Sequence, residues 1–271
     1  MSRRIVLIIH TYGINYKYGD VIKIKPIGDV HFGNKYCNKR AFKEFLADSD
    51  KKTYFLGIGD LMDCIIVSDQ KRYQKHADAS PTDTPLDYQI DGIYDILKPY
   101  ANRIIGLGRG NHEDTIIKHC GTDPMKRLCE KLSCNYLGLS GLVRLSLTEN
   151  KARGRSVIIR WHHGWGGGSR TQGADLTKYS KDTMYWDADI FLYGHVHRKQ
   201  SDKVPRLGLC GNKLISKPKV IGICGTFLKT YSDTESSTYS ELKGYPPVEI
   251  GGITVNIKPN FESFVTWIDD K

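Results

Sequence analysis

The chain has 271 residues, of which 39% are hydrophobic and 26% are charged, with a formal net charge of +10. This composition is that of a globular chain with a sizeable core, and it excludes a disordered or low-complexity protein. No apolar run approaches the ~20 residues of a membrane-spanning helix, so no membrane partner is expected. The positive balance suits polyanionic partners such as DNA or RNA, but the basic residues are spread out and form no basic block.

The first half of the chain alternates predicted strands with predicted helices. Strands are predicted at 5–10, 21–27, 53–58 and 103–107, and helices at 39–48 and 87–98. Residues 12–15 are expected to connect the first two strands, and Pro99 to end the second helix. Pro26 cannot donate to a ladder hydrogen bond, so its strand should lie at a sheet edge or end there. The polar stretch 64–86 is expected to be a loop insertion or a small cap.

The second half continues the alternation and then becomes β-rich. Helices are predicted at 124–133 and 174–185, and strands at 142–147, 156–161 and 189–193. Asp123 is expected to cap the helix that Pro124 begins. The part 199–271 is predicted to be mostly strands, with a turn at Gly211-Asn212. Without a repeat or a linker, the pattern predicts one α/β domain over 1–271.

The cysteines indicate the redox setting. Seven cysteines are scattered along the chain, an odd number, and no CxxC motif is present. A structural zinc site of the usual spacing is therefore not expected. Reduced thiols and a cytoplasmic location are the prediction.

Five short polar clusters each follow an apolar run. They are Asp29-Val30-His31, Gly59-Asp60, Gly110-Asn111-His112-Glu113, His162-His163-Gly164 and Gly194-His195-Val196-His197. In open α/β sheets, ligands bind outside the carboxyl ends of the strands, so these distant clusters can converge. They also contain six of the nine histidines of the chain, which favours one site over scattered core or surface histidines.

The donor types predict a pair of divalent metal ions. Carboxylate, amide oxygen and imidazole are present without a thiolate, a mixture that favours Mn, Fe or Zn over copper or an iron–sulfur cluster. Two ions ~3.5–4 Å apart need a shared ligand, and the two oxygens of a carboxylate suit that position. Asp60 is the candidate bridge.

The pattern DxH…GD…GNHE…H…GHxH, read over 29–197, resembles the calcineurin-like metallophosphoesterases. A looser likeness of 225–227, Tyr239 and 244–247 is to phage-type and bacterial members. The resemblance implies a four-layer αββα sandwich of two mixed β-sheets flanked by helices. It also implies a phosphoric ester hydrolase that uses two divalent ions, Mn²⁺ by expectation and Fe, Zn or Ni as alternatives.

Carried over by position, the resemblance assigns roles to individual residues. His112 would stabilise developing charge or protonate the leaving oxygen while a metal-bound hydroxide attacks phosphorus in line. The implied ligands are Asp29, His31, Asp60 and His197 for one ion, and Asp60, Asn111, His163 and His195 for the other.

Four assignments have two alternatives each. His163 precedes glycine, as the family's ligand does, whereas His162 would face the other side of its strand. Asp63 either orients His112, as in the phosphoprotein phosphatase branch, or caps a helix. That branch has Arg-Gly where this chain has Cys64-Ile65, which argues against protein dephosphorylation. Arg109 and Arg170 either grip a substrate phosphate or are solvated surface residues.

Three functions follow from these features. The first is a phosphodiesterase acting on nucleic acid, favoured by the complete ligand set and the basic charge. The second is a phosphomonoesterase for nucleotides or small phosphorylated metabolites. The third is a binding module with a degenerate metal site, which the intact His112 argues against. The sequence does not determine the substrate or the oligomeric state.

Overall fold

The computed structural model describes residues 9–67, 69, 73, 78, 81, 84–149, 153–232, 237–259 and 264–269. The strands are β1 Ile9–Tyr16, β2 Ile22–Ile27, β3 Thr53–Ile58, β4 Ile104–Gly108, β5 Tyr136–Gly138, β6 Ser140–Glu149, β7 Arg153–His162, β8 Ile190–Tyr193, β9 Lys199–Val204, β10 Leu207–Cys210, β11 Lys213–Ser216, β12 Lys219–Cys224, β13 Thr254–Pro259 and β14 Phe264–Asp269. The helices are α1 Lys39–Ala47, α2 Pro85–Leu97, α3 Asn111–Cys120, α4 Pro124–Leu132, α5 Ala174–Ser180, α6 Asp182–Tyr185 and α7 Tyr239–Leu242.

Two six-stranded mixed sheets form the centre of the molecule. One has the order β1-β6-β7-β8-β12-β9 and the other β14-β13-β2-β3-β4-β5. Apolar residues of both sheets, such as Ile24, Leu56, Leu145 and Ile159, form one continuous core between them. Helices α1, α2, α3 and α4 cover the second sheet, and α5 covers the first. The predicted four-layer αββα sandwich is confirmed.

Close contact between the two sheets depends on a glycine at the end of β4. A Cβ on Gly108 would lie 2.0 Å from the Trp161 ring, which is 1% exposed. No side chain could occupy that position without moving the largest ring in the core. The tryptophan of β7 therefore packs directly on the β4 backbone, which brings the carboxyl ends of β4 and β7 close together.

The first strand and its connection differ from the prediction. Residues 12–15 belong to β1, which pairs in parallel with β6 from Ile9 opposite Leu142 to Tyr16 opposite Glu149. Alternation of half-buried Tyr12, buried Ile14 and buried Tyr16 along this segment fits a strand with one covered face. The predicted strand residues 5–8 lie outside the described residues.

Strand β2 is central, not at an edge, because β13 and β3 flank it. The edge alternative is wrong, whereas the alternative that the strand ends near Pro26 fits, because β2 ends at Ile27. Strand β13 pairs only with Ile22 to Ile24, whereas β3 continues alongside Pro26. At Pro26 the strand thus has one paired neighbour, and the missing N–H lies on the unpaired side.

Prolines lie at the start of α2 and just after its end. Helix α2 begins at Pro85, where the missing N–H of proline costs no hydrogen bond. The α-helix ends at Leu97, before Pro99 as predicted, and Lys98–Arg103 continues as a 3-10 helix. Asp123 caps α4 as predicted, its side chain accepting from the Lys126 N–H at 3.0 Å. Gly211-Asn212 forms the predicted turn, between β10 and β11.

Much of the predicted cap at 64–86 lies outside the described residues, so the choice between a loop and a cap stays a prediction. Described parts include Ile65 and Tyr73, which line a cavity together with His31 and His112, and an isolated bridge between Asn34 and Asp78. Among the described residues, no helix is long and apolar enough to cross a membrane.

Candidate metal centre

The predicted ligands follow strands whose carboxyl ends meet across the two sheets. In the second sheet, Asp29, Asp60 and Asn111 come after the parallel neighbours β2, β3 and β4. In the first sheet, His163 and the pair His195 and His197 come after the parallel neighbours β7 and β8. Because the sheets pack face to face, both sets of strand ends open on the same side.

The backbone at these positions is unusual. Five predicted ligands have positive φ without being glycine: Asp29 at 48°, His31 at 52°, Asp60 at 52°, His195 at 72° and His197 at 59°. Such conformations are uncommon outside glycine and persist where surrounding structure imposes them, often at functional sites. Here the Asp60 carbonyl accepts from the N–H groups of both Val30 and His31, at 2.8 and 3.1 Å, which joins the two loops.

The first donor group consists of Asp29, His31 and His197, whose ligand atoms lie within 4.8 Å of one another. His197 Nε2 lies 3.1 Å from His31 Nε2 and 3.3 Å from Asp29 Oδ1. Asp29 Oδ1 is buried and has no hydrogen-bond partner among the described residues. A buried carboxylate oxygen without a donor, facing two imidazole nitrogens, is what a bound cation satisfies.

The second donor group consists of Asp60, His163 and His195, joined by Asn111. His163 donates its Nδ1–H to the Ile58 carbonyl at 2.9 Å, which leaves Nε2 free to bind a metal. That nitrogen lies 3.1 Å from Asp60 Oδ2 and 2.9 Å from Asn111 Oδ1. The second donor group thus combines nitrogen with hard oxygen, which fits a divalent ion of the Mn, Fe or Zn type.

Opposite charges across the centre shift the pKa values strongly. Burial by itself raises the pKa of Asp60, but the imidazoles of His163 and His112 outweigh it and hold that pKa well below its usual range. Burial likewise lowers the pKa of His163, but the Asp60 and Asp29 carboxylates overcome this and raise it to about 10. Burial, followed by the charge of His163, lowers the pKa of His195. The carboxylates are therefore ionised and ready to bind cations.

His112 lies beside both groups, on the first turn of α3. Its N–H donates to Asp60 Oδ1 at 2.9 Å, and its Nε2 lies 4.0 Å from Asp60 Oδ2. Its Nδ1–H donates to the Asp63 backbone carbonyl. The side chain is thus fixed with Nε2 turned towards the donor groups.

Asp63 contacts His112 more closely through its backbone than through its side chain. Its carboxylate lies 3.9 Å from His112 Nδ1 but 3.4 Å from His31 Nδ1, and it accepts from Asn34 Nδ2 at 3.2 Å. The Asp63 carbonyl is the closer acceptor for His112 Nδ1. The carboxylate instead faces the ring of His31.

Glu113 is a residue whose role sequence reasoning missed. It is fully buried, and its carboxylate accepts three backbone N–H groups, those of Gly110 at 2.7 Å, Asp60 at 3.0 Å and Met62 at 3.1 Å. Burial and the Asp60 charge raise its pKa to about 8. The available signal was its place three residues after Gly110, where a glutamate side chain can accept the N–H of the N-cap residue of the helix.

Two glycines permit the close approach of these loops. A Cβ on Gly110 would lie 2.1 Å from Asp60 Oδ1, and one on Gly194 would lie 2.6 Å from Asp29 Oδ2. These distances are shorter than any normal contact, so a side chain at either position would displace a predicted ligand. The glycines of the GNHE and GHxH clusters are thus needed for space around the carboxylates.

The remaining predicted residues lie outside the two donor groups. The Arg109 guanidinium pairs with Asp114 through Nε and with Asp123 through Nη1. The phosphate-gripping role of Arg109 stays a prediction. Arg170 is exposed and does not line the cavity. His162 packs against Trp165 at 4.9 Å between ring centroids, while His163 lies in the centre.

A cavity of about 370 Å³ opens beside both donor groups. One wall is the loop containing Gly166, Gly167 and Gly168, which is held from behind by polar contacts. Buried Asp175 accepts from the Ser169 N–H and hydroxyl, both at 3.0 Å, and Arg198 lies 3.4 Å from the same carboxylate. The glycine loop therefore borders the cavity as a clamped segment.

Comparison with known proteins gave structural likenesses at low identity. The metallophosphoesterase of Sphaerobacter thermophilus has 12% identity and a TM-score of 0.38, with 92% of this chain and 88% of that chain covered. Vps29 of Entamoeba histolytica complexed with Zn²⁺ has 14% identity, a TM-score of 0.36 and coverage of 92% and 99%. Haemophilus influenzae NAD nucleotidase has 12% identity, a TM-score of 0.41 and coverage of 92% and 49%. At these scores, the likenesses indicate neither substrate nor metal.

The family match is more decisive. No curated protein matches the chain in sequence. The family model described as calcineurin-like phosphoesterase matches residues 22–199, well over half of the chain and all five polar clusters. The match therefore spans the strand-end loops that carry both donor groups. The chain belongs to the calcineurin-like phosphoesterase family and is a metal-dependent phosphoric ester hydrolase.

Proposed function

We propose that the chain hydrolyses phosphodiester bonds with two divalent ions, Mn²⁺ in preference, and that its substrate is nucleic acid. The observation that carries the proposal is the presence of two adjacent donor groups with His112 beside them. Asp29, His31 and His197 would hold one ion, and Asn111, His163 and His195 the other, with Asp60 between them. When bound, such ions neutralise phosphate charge and lower the pKa of water at the site.

The role of His112 follows from its tautomer. Its Nδ1–H is committed to the Asp63 carbonyl, so Nε2 is the nitrogen that faces the cavity. In the imidazolium form, Nε2 carries the proton that a leaving alkoxide oxygen needs, and the neutral form remains hydrogen-bonded to the same carbonyl. His112 is therefore placed to act as a general acid.

Diester cleavage is favoured by the walls of the cavity. The glycine loop and the segment containing Leu228, Lys229 and Thr230 both line the cavity, which therefore extends beyond the donor groups. A phosphorus atom at the centre would then have room for two substituents. The net charge of +10 attracts polyanions.

A phosphomonoesterase for nucleotides or small metabolites is the second candidate. The observation in its favour is the size of the cavity, about 370 Å³. This volume lies near the lower end of the ~300–1,000 Å³ typical of small-molecule sites.

The test compares bis-p-nitrophenyl phosphate with p-nitrophenyl phosphate, and single- and double-stranded DNA with RNA, under Mn²⁺, Zn²⁺ and Mg²⁺. The diester should be turned over faster, and His112→Ala should lose about 10²–10⁴ in kcat with metal content unchanged. His119→Ala is the matched control, because His119 is an exposed histidine of α3, the helix that carries His112, and does not line the cavity. Faster monoester turnover would support the second candidate instead.

A further inference from the structure

Two tyrosine rings line the cavity on a wall that the metal chemistry does not use. Tyr239 is the first residue of α7, and Tyr245 follows shortly after that helix. Their ring centroids are 6.3 Å apart with an interplanar angle of 72°. Tyr239 is 47% exposed and Tyr245 51% exposed, so each ring presents a large open surface. These two residues are referred to as the aromatic platform.

The backbone that carries the aromatic platform is held by hydrogen bonds. Thr238 caps α7 by accepting from the Glu241 N–H at 3.1 Å. The Tyr245 N–H donates to the Ser240 carbonyl at 3.0 Å, and the Tyr245 carbonyl accepts from the Tyr231 hydroxyl at 2.9 Å. The rings are therefore exposed on an ordered support, which lowers the entropy cost of binding a ligand to them.

The same stretch of chain is attached to the metal centre. The Asp29 carbonyl accepts from the Phe227 N–H at 2.9 Å and from the Thr226 hydroxyl at 2.8 Å. A few residues later, the Thr230 carbonyl accepts from the Thr238 hydroxyl, at the base of the platform. Platform and first donor group are thus linked through one short segment, so their separation is set by the fold.

We propose that Tyr239 and Tyr245 form a stacking subsite for one unpaired nucleobase of a substrate whose phosphate lies at the metal centre. This inference rests on the proposed function. Aromatic rings bind bases of any sequence through their π faces. The bases of a duplex are already stacked on both sides, whereas an unpaired base can enter a cavity of about 370 Å³. The subsite would thus favour nucleotides and single strands over duplexes.

The experiment compares two diesters that share one leaving group: the p-nitrophenyl ester of thymidine monophosphate and methyl p-nitrophenyl phosphate. The double variant Tyr239→Ala/Tyr245→Ala should lower the ratio of their kcat/KM values about tenfold or more, since stacking on aromatic rings is worth about five- to hundredfold per base. Tyr239→Phe/Tyr245→Phe keeps the rings and should keep the ratio. Tyr185→Ala, a control that removes a 76% exposed tyrosine outside the cavity, should also keep it.

A second measurement uses the unmodified chain. Thymidine should inhibit hydrolysis of the methyl ester competitively, and deoxyribose should not. Short oligothymidylate inhibiting more strongly than thymidine monophosphate would assign the base to a single strand, and equal inhibition would assign it to a nucleotide. An unchanged ester ratio in the alanine double variant, or equal inhibition by thymidine and deoxyribose, would overturn the subsite.

A binding measurement distinguishes failure of the stacking subsite from failure of the proposed diesterase activity. If neither ester is hydrolysed, binding of thymidine monophosphate to the metal-free chain is measured by calorimetry. Binding weakened about tenfold by the alanine double variant would retain the subsite without the diesterase activity. Binding unaffected by the double variant would overturn the subsite in that case too.

Discussion

Substitution of Gly110 by alanine tests whether Asp60 is positioned by close packing. Gly110 has an extended backbone, with φ at −109°, so the added methyl group causes no backbone strain of its own. It would lie 2.1 Å from Asp60 Oδ1 and 2.7 Å from the Asp60 nitrogen. The carboxylate oxygen must retreat by about 1.3 Å to reach an ordinary contact of 3.4 Å. Asp60 is 1% exposed, so the atoms packed around it resist this movement.

The expected loss follows from that displacement. A 1 Å misplacement of a reacting group can cost about 10²-fold in rate, so kcat/KM for a diester should fall by about that factor. Overpacking should also lower the free energy of unfolding by about 1–3 kcal/mol. Mn²⁺ affinity measured by calorimetry should fall as well, because the candidate bridging ligand has moved.

Gly13→Ala is the matched control, because no described atom lies within 4 Å of the place in β1 that its added methyl group would take. It should change neither Mn²⁺ affinity nor turnover. If Gly110→Ala keeps wild-type Mn²⁺ affinity and turnover within a factor of about three, then Asp60 does not need its present position. The assignment of Asp60 as a shared ligand would then be refuted.

Three further predictions concern the residues around the ligands. Glu113→Ala leaves three buried N–H groups without their acceptor, each costing about 1–3 kcal/mol, so urea unfolding should show at least about 3 kcal/mol lost; a loss under about 1 kcal/mol would contradict this. The raised pKa of His163, about 10, means that the metal-free protein holds a proton there at pH 8. This proton stabilises the metal-free fold fully below pH ~6.5, and the stabilisation is lost as pH rises through about 10. Metal uptake at pH 8 should therefore release about one proton, so the heat measured by calorimetry should depend on the buffer. A heat that does not depend on the buffer would refute this prediction. Asp63→Asn should weaken Mn²⁺ binding about 10-fold or more, because the Asp63 carboxylate faces the ring of His31. It should keep most of kcat at saturating metal, because the Asp63 carbonyl still holds His112. A large loss of kcat would show instead that the carboxylate is the partner of His112.

Local sequence determined the positions of the ligands and most of the elements. Each polar cluster follows an apolar run, and strand ends are where α/β folds bind ligands, so the five clusters could be placed before any contact was known. Asp123 before Pro124 likewise predicted a helix start that the structure shows. These features depend on neighbours within a few residues. The strand over Tyr12 to Asn15 was not predicted from local sequence. It forms by pairing with β6, more than a hundred residues away.

Only the tertiary structure decided what surrounds the ligands. Glu113 accepts from the loop after β3, which no local pattern brings near α3. Arg109 precedes the GNHE cluster in sequence, and its guanidinium pairs with Asp114 and Asp123. Tyr239 and Tyr245 reach the cavity from a distant part of the chain. Short sequence segments determine the ligand types and their order. Hydrogen-bond partners, ion pairs and cavity walls depend instead on which segments the fold packs together.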